Sequence, residues 1–370
     1  MLIDIIAGAR PNFMKIAPII QSLEAHKAAG GLLRYRVVHT GQHYDARMSG
    51  NFFTQLGIPE PDVNLESGSG TQAEQTAAIM IRYEKLLLDA RSNLCLVVGD
   101  VTSTMACAIV AQKMGVPVAH VEAGIRSGDW TMPEEINRMV TDAITNWFFT
   151  TSEVANDNLR RAGVGDECIF FVGNTMIDTL LANLTRLLKP VFFDELGLKV
   201  GEYFVVTLHR PANVDQGDAF ARLLTAIGEG TRGLPVVFPV HPRTAKTMGD
   251  LNEVPGSFCL VEPQPYLEFN YLVKHAKAVI TDSGGITEET TVMGVPCLTL
   301  RDSTERPETV TIGTNELIGT NPAALAPALD KLFAGQWKKG AIPEKWDGHS
   351  GERIVQVLEQ LLAHTPTQGQ

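Results

Sequence analysis

Three carboxylates stand where the chain offers them unequal structural excuses. Glu122 ends the apolar run VPVAHV, and a charge beside a buried strand costs free energy unless something there uses it. Asp100 closes LCLVVGD, and Glu134 follows Pro133 in MPEEINR. Asp100 also reads as a cap for a helix starting near Ser103, and Glu134 as a favoured first-turn acid. Glu122 has no such reading, since it falls on a strand end. If the three converge, their repulsion raises at least one pKa and leaves a proton to exchange. His209, in TLHR, is their natural partner.

A second group of residues suits an anion. Asp282-Ser283-Gly284-Gly285 follows the apolar run KAVIT. It reads either as a tight turn with a helix cap or as an anion cradle, in which glycines admit a close ligand and the next helix presents free N–H groups and its positive dipole end. It lacks the lysine of a P-loop and the spacing of a dinucleotide fingerprint, which leaves a sugar nucleotide diphosphate open. Arg10 and Lys15 open the first helix after GAR, a small penalty on a solvated helix and a clamp beside an anionic ligand. Pro18 is expected near the start of that helix.

Such groups need rigid strand ends. Short apolar, β-branched runs alternate with longer helical patterns, the mark of parallel sheets covered on both faces. The strands read as LIDII, YRVVHT, LCLVVG, VPVAHV and WFFTT, then YFVVTL, PVVFPV, FCLVE, KAVITD and VPCLTL, two sets of five. Between the sets a helical pattern runs from Asn174 to Pro190, and the domain boundary is expected there. The stretches GDVTSTMACAIVAQKMGVPVAHVEAG and TDSGGITEETTVMGVPCLTLRD share a strand–Asp–helix–MGVP–strand order, which supports paired Rossmann-like domains. Ligands of such sheets bind outside the carboxyl ends of the strands, and there the polar residues crowd, including Gly41-Gln42-His43, His209-Arg210 and His241-Pro242-Arg243.

Composition narrows the partners. With 370 residues the chain exceeds one ordinary core, and 44% hydrophobic with 20% charged residues suits a globular protein. A net charge of -11 without a basic run argues against nucleic acid and anionic membranes. Five scattered cysteines suggest neither a disulfide framework nor a metal site and fit a reducing cytoplasm. The early Asp4 and Arg10 leave no room for a signal-peptide core, and no apolar run approaches a membrane span. The expectation is a cytoplasmic protein, neither exported nor inserted.

GARPNFMKIAP, TGQHYD, VVGDVTST, HVEAGIRSGD, MPEEINR, GNTMID, TLHR, PVHPR, TDSGGITEE and RDSTERPETV, in this order, closely resemble the non-hydrolysing UDP-N-acetylglucosamine 2-epimerases. The resemblance runs from Met1 to about Gly319 and weakly through the C-terminal helix. It implies two Rossmann-like parallel-sheet domains facing across a cleft, GT-B-like, at residues 1–172 and 173–349, with a helix at about 350–365 returning to the first. It also implies interconversion of UDP-GlcNAc and UDP-ManNAc by elimination and re-addition of UDP across C1 and C2, with no nicotinamide, no metal and no other cofactor. A homodimer and a role in polysaccharide biosynthesis for the cell envelope follow from it.

By position, Asp100, Glu122 and Glu134 match the catalytic carboxylates of these enzymes, and His209 the histidine near the departing phosphate. Arg10 and Lys15 match cations of the first domain. Ser283, Gly284 and Gly285 match the diphosphate cradle, Glu289 the ribose-binding acid, Gln264 and Phe269 the surroundings of uridine, with Arg306 close by. Gln42, His43 and His241 fall where a second, regulatory UDP-sugar site is expected. Some residues depart from the pattern: Asn12 and Ala212 stand where many members have Glu. GQHYD recurs in relatives acting on UDP-2,3-diacetamido uronic acids, which are the alternative substrate. Two other classes share the fold. A GT-B glycosyltransferase needs an acceptor cleft and has no use for three carboxylates, whereas a binding-only protein tolerates their loss.

Overall fold

The computed structural model describes residues 1–41, 55–214, 217–240 and 254–363, with Thr244 and Met248 between the last two stretches. Gln42, His43 and His241 lie outside the described residues, as does the side chain of Arg10. The chain divides into two compact units, Met1–Ala182 with the chain from Glu344 onward, and Asn183–Pro343.

In the first unit the strands are β1 (Leu2–Ala7), β2 (Arg34–His39), β3 (Val63–Asn64), β4 (Leu94–Val98), β5 (Val118–Val121), β6 (Trp147–Thr150) and β7 (Ile169–Phe171). They pair in parallel in the order β3-β2-β1-β4-β5-β6-β7. Helices α1 (Arg10–Ala28), α2 (Gln72–Asp89), α3 (Thr102–Lys113), α4 (Pro133–Ala143), α5 (Glu153–Arg161) and α6 (Thr175–Asn183) alternate with them. Every residue of β4, LCLVV, is buried, as expected of a central strand with helices on both faces.

In the second unit β8 (Phe204–Thr207), β9 (Val236–Pro239), β10 (Phe258–Val261), β11 (Ala278–Thr281), β12 (Cys297–Thr299) and β13 (Asn315–Leu317) make a parallel sheet in the order β10-β9-β8-β11-β12-β13. Its main helices are α7 (Gly217–Gly230), α8 (Tyr266–His275), α9 (Gly284–Met293), α10 (Pro307–Thr311) and α11 (Leu325–Phe333). Alternate residues of one strand feed opposite cores. Phe204 and Val206 join Phe220, Phe238 and Leu329, while Tyr203 and Val205 join Phe193, Leu272 and Val279. In each unit the strand order reverses once, between β1 and β4 and between β8 and β11, and that reversal opens a crevice at the strand ends.

The last helix, α12 (Ser350–Ala363), belongs to the first unit. Asp178 on α6 ties it there, accepting Ser350 Oγ at 2.9 Å and Gly351 N at 2.8 Å. The division therefore falls after Ala182 and before Glu344, not after residues 172 and 349, because α6 and the approach to α12 pack with the first unit. The helix expected from Asn174 to Pro190 stops at Asn183, where Arg186 N bonds back to Asn183 O at 2.9 Å. Pro18 lies well inside α1, not near its start. Its missing N–H frees the carbonyl of Met14, which accepts Thr179 Oγ1 at 2.6 Å, so the lost helical bond is replaced by a tie to α6. Among the described residues no helix is long and apolar enough to cross a membrane, and no group of three or more His, Cys, Asp or Glu is placed to hold a metal ion.

Candidate active site

In the first unit the rim is built at the ends of β1, β4 and β5. Asn12 Oδ1 accepts the amides of Gly8 and Ala9, each at 3.0 Å, and Asn12 Nδ2 donates to Val98 O at 3.3 Å. The turn into α1 is thereby bound to the end of β4. From α1, Lys15 Nζ reaches Glu122 Oε2 at 2.5 Å, with both side chains buried. Gly99 makes room for this pair. Its φ is +65°, and a Cβ there would stand 2.8 Å from Lys15 Nζ.

Glu122 itself has φ +73°, a left-handed backbone that costs a non-glycine residue about 1–3 kcal/mol. Its surroundings enforce it. Glu122 N and Ala123 N both donate to Phe149 O, at 2.9 and 3.1 Å, and Gly124 N donates to Asp142 Oδ2 at 3.1 Å. Strain kept by such a frame marks a side chain that must point one way.

Asp100 is no helix cap. The N-cap position of α3 is held by Val101 without a side-chain bond. Asp100 Oδ2 instead accepts from Arg138 Nη2, and its backbone oxygen accepts Asn137 Nδ2 at 2.8 Å. Arg138, nearly fully buried on α4, also pairs with Glu135 Oε2 at 2.6 Å. Burial pushes the Glu135 carboxyl up, but the amides of Ser127 and Gly128, together with Arg138, outweigh it and hold the group below its ordinary range. Glu135 is thus a fixed counter-ion for Arg138. Glu134 is exposed on the first turn after Pro133, where the sequence places it, and lies on the same helical face as Arg138 by its i,i+4 spacing.

In the second unit Asp282, at the end of β11, is fully buried and gathers the turn after β8. It accepts His209 N at 3.1 Å, Arg210 N at 2.9 Å, Asn213 Nδ2 at 3.0 Å and His209 Nδ1 at 2.8 Å. Burial raises its pKa, yet His209, Asn213 and the Arg210 amide together bring it below the usual value. An ionised carboxylate only accepts, so His209 carries its hydrogen on Nδ1 and leaves Nε2 of a half-exposed ring for a ligand.

Next in the chain, Ser283 takes the N-cap position of α9 without a side-chain cap bond, while its amide donates to Thr281 Oγ1 at 2.9 Å. Gly284 and Gly285 open the helix, where N–H groups and dipole favour an anion. On the same helix Glu289 is buried, and burial above all, with Glu288 adding, lifts its pKa to about 7 against the pull of Tyr266 and Asn270. Tyr266 and Asn270, both on α8, are the polar side chains that face it and oppose that burial. Arg306 is buried, with Nε 2.5 Å from Glu288 Oε1. Arg301 pairs with Glu305 at 2.6 Å, and against burial Arg301 and Arg306 hold Glu305 down at about 2. Phe269 lies half-buried on α8, and Gln264 just before it donates to Glu262 O at 2.7 Å.

The structure therefore places Lys15, Asp100 and Glu122 at one strand-end rim with Glu134 exposed on the first turn of α4, and in the second unit His209, Ser283, Gly284 and Gly285 beside the ends of β8 and β11, with Glu289 further along α9 and Arg306 against Glu288. Gln264 and Phe269 lie on the stretch whose Tyr266 and Asn270 approach Glu289. Arg10 opens α1. The sequence reading did not single out the Arg138–Glu135 pair, although its i,i+3 spacing after Pro133 was a signal, and it read Asp282 as part of either a capped turn or an anion cradle without its tie to His209.

Fold and sites define a class: a protein of two parallel-sheet α/β units, with a glycine-opened helix start after β11 in one and Asp100 and Glu122 at strand ends in the other. A family model described as UDP-N-acetylglucosamine 2-epimerase matches residues 25–359, and the chain belongs to that family. It is 40% identical to the UDP-N-acetylglucosamine 2-epimerase of Methanocaldococcus jannaschii, over 97% of this chain and 99% of that one. The solved structure of UDP-GlcNAc 2-epimerase from that organism, in complex with UDP-GlcNAc and UDP, superposes with a TM-score of 0.86, covering 97% of this chain and 100% of the other. A UDP-2,3-diacetamido-2,3-dideoxy-D-glucuronate 2-epimerase of Pseudomonas aeruginosa is 38% identical, over 86% of this chain and 88% of that one.

Proposed function

We propose that this protein interconverts UDP-GlcNAc and UDP-ManNAc. One carboxylate of the first unit takes the proton from C2, the electron pair becomes the C1=C2 double bond, and the C1–O bond breaks with its pair leaving on UDP. A proton then returns to the other face of C2 of the 2-acetamidoglucal, and UDP adds back at C1. Inversion at C2 needs a base and an acid, so Asp100, Glu122 and Glu134 are the groups assigned to the two faces. The amides after Ser283, with His209 and Arg10, take up the charge growing on the leaving diphosphate. Lys15 holds Glu122, Glu289 takes the ribose hydroxyls, and Gln264, Phe269 and Arg306 surround the uridine.

The observation that carries this reading is the strained, buried Glu122 paired with Lys15 beside the Asp100 turn. Incubation with UDP-GlcNAc and no acceptor is the test. An epimerase makes a second UDP-sugar, whereas a glycosyltransferase or a binding protein returns the substrate unchanged. The relative acting on a diacetamido uronate favours a second substrate for the same chemistry, and a parallel incubation with that UDP-sugar separates the two. A cytoplasmic setting, supported by five unpaired cysteines, belongs to the same proposal. So do a homodimer, regulation by a second UDP-sugar at Gln42, His43 and His241, and a role in cell-envelope polysaccharide synthesis, all supported by family membership. Sedimentation tests the dimer.

A further inference from the structure

His120 is fully buried in β5, two residues before Glu122. Its Nδ1 lies 2.7 Å from Asp142 Oδ1, and its Nε2 lies 2.8 Å from the carbonyl oxygen of Gly99. A carbonyl oxygen only accepts. Asp142 is likewise an acceptor, because the burial that raises its pKa is outweighed by His120 and Arg126 beside it, which leave it ionised. The ring of His120 thus spans the Gly99 carbonyl and the Asp142 carboxylate with one nitrogen at each.

The pair reaches further through Asp142. Its Oδ2 accepts Gly124 N at 3.1 Å and Arg126 Nη1 at 2.6 Å. Three segments thus meet at one ring and its carboxylate. Gly99 precedes Asp100, His120 and Gly124 flank Glu122 on either side, and Asp142 rides on α4, the helix whose first turn carries Glu134. A buried polar pair adds little stability over apolar side chains of similar volume, and its attested value is in fixing one arrangement among several.

We propose that His120 is a positioning residue for proton transfer: out of reach of substrate, it clamps the Asp100 turn to the Glu122 loop and to the Glu134 helix and so fixes acid and base about C2. The proposal rests on the epimerase reading given above. It differs from a packing role in what it predicts for catalysis. A small displacement of proton-transfer groups slows the chemical step far more than it weakens binding.

Two variants and one spectrum test it on the full-length protein. His120→Gln keeps a donor toward Gly99 O, and His120→Asn keeps one toward Asp142. Each is expected to lower kcat by about 10²-fold, the cost of misplacing reacting groups by roughly 1 Å, with KM changed less than about threefold. UDP binding, read by calorimetry, should persist. Folded variants with native kcat, or with KM raised and kcat kept, overturn the clamp. Nitrogen NMR of histidine-labelled wild type, with His120 assigned from the spectrum of either variant or by backbone connectivity, should show a hydrogen on each ring nitrogen. A bare ring nitrogen overturns the clamp even if neither variant folds. A wild type that leaves UDP-GlcNAc unchanged would refute the epimerase reading, while the NMR result would still decide whether the ring bridges Gly99 and Asp142.

Discussion

Asp282 and Glu289 belong to one strand and the helix that follows it, yet their surroundings drive the two carboxyls in opposite directions. Asp282 has four donors and stays ionised, so its work is to fix the tautomer of His209. Asp282→Asn keeps the shape and loses that control, and kcat should fall by about 10²-fold or more with folding intact, as when other orienting acids are changed to amides. Native turnover in that variant would contradict the role. Glu289 stands with its pKa lifted from 4.5 to about 7. A pKa raised on folding means stability that is complete below the unfolded value and lost as pH rises through the folded one. The wild type should therefore weaken from about pH 4.5 to about pH 7, by roughly 3 kcal/mol at most, and Glu289→Gln should not. Thermal unfolding of both across that range checks it, and a difference that does not vary with pH would refute it. Asp100→Asn, Glu122→Gln and Glu134→Gln should each lose about 10²-fold or more in kcat. Steady-state rates would show whether all three are needed.

Among the elements, the loop from β5 to α4 carries the most constraint. Gly124 has φ +77°, and a Cβ on it would stand 2.4 Å from the carbonyl oxygen of Ala155 in α5. Gly124→Ala should cost about 1–3 kcal/mol by denaturant titration and lower turnover as well, since the loop that holds Glu122 must shift. Unchanged stability would mean that the loop yields freely. This level also shows what periodicity can and cannot read. The ten strands legible in the sequence are mostly the inner ones, apolar on both faces. β3, β7 and β13 were not, because each lies at a sheet edge with one partner and needs fewer apolar residues. The helix pattern ran on to Pro190 because LLKP is apolar enough, whereas the chain leaves the first unit after Ala182. Asp100, Glu122 and Ser283 stood out in the sequence because each closely follows an apolar strand, whereas Glu134 stood out only as an acid after Pro133. The Asp282 contacts were not, since they join residues more than sixty positions apart through β8 and β11, an adjacency no local pattern encodes.

For the molecule as a whole, the same strand order appears twice, with one reversal and its strand-end crevice in each copy. The second copy has the glycine-opened helix start after Ser283 and a buried acid, Glu289, and the first has Asp100 and a strained, buried Glu122. That division suits a reaction in which one part of the substrate is held while a carbon beside the bond to UDP loses and regains a proton. Without such proton exchange the carboxylates have no part in the inversion. The most direct test is proton NMR of the protein with UDP-GlcNAc alone in heavy water. Elimination and re-addition should give UDP-ManNAc with deuterium at C2, and slow leakage should yield UDP and 2-acetamidoglucal. UDP-ManNAc formed with its original C2 hydrogen fully retained would contradict elimination.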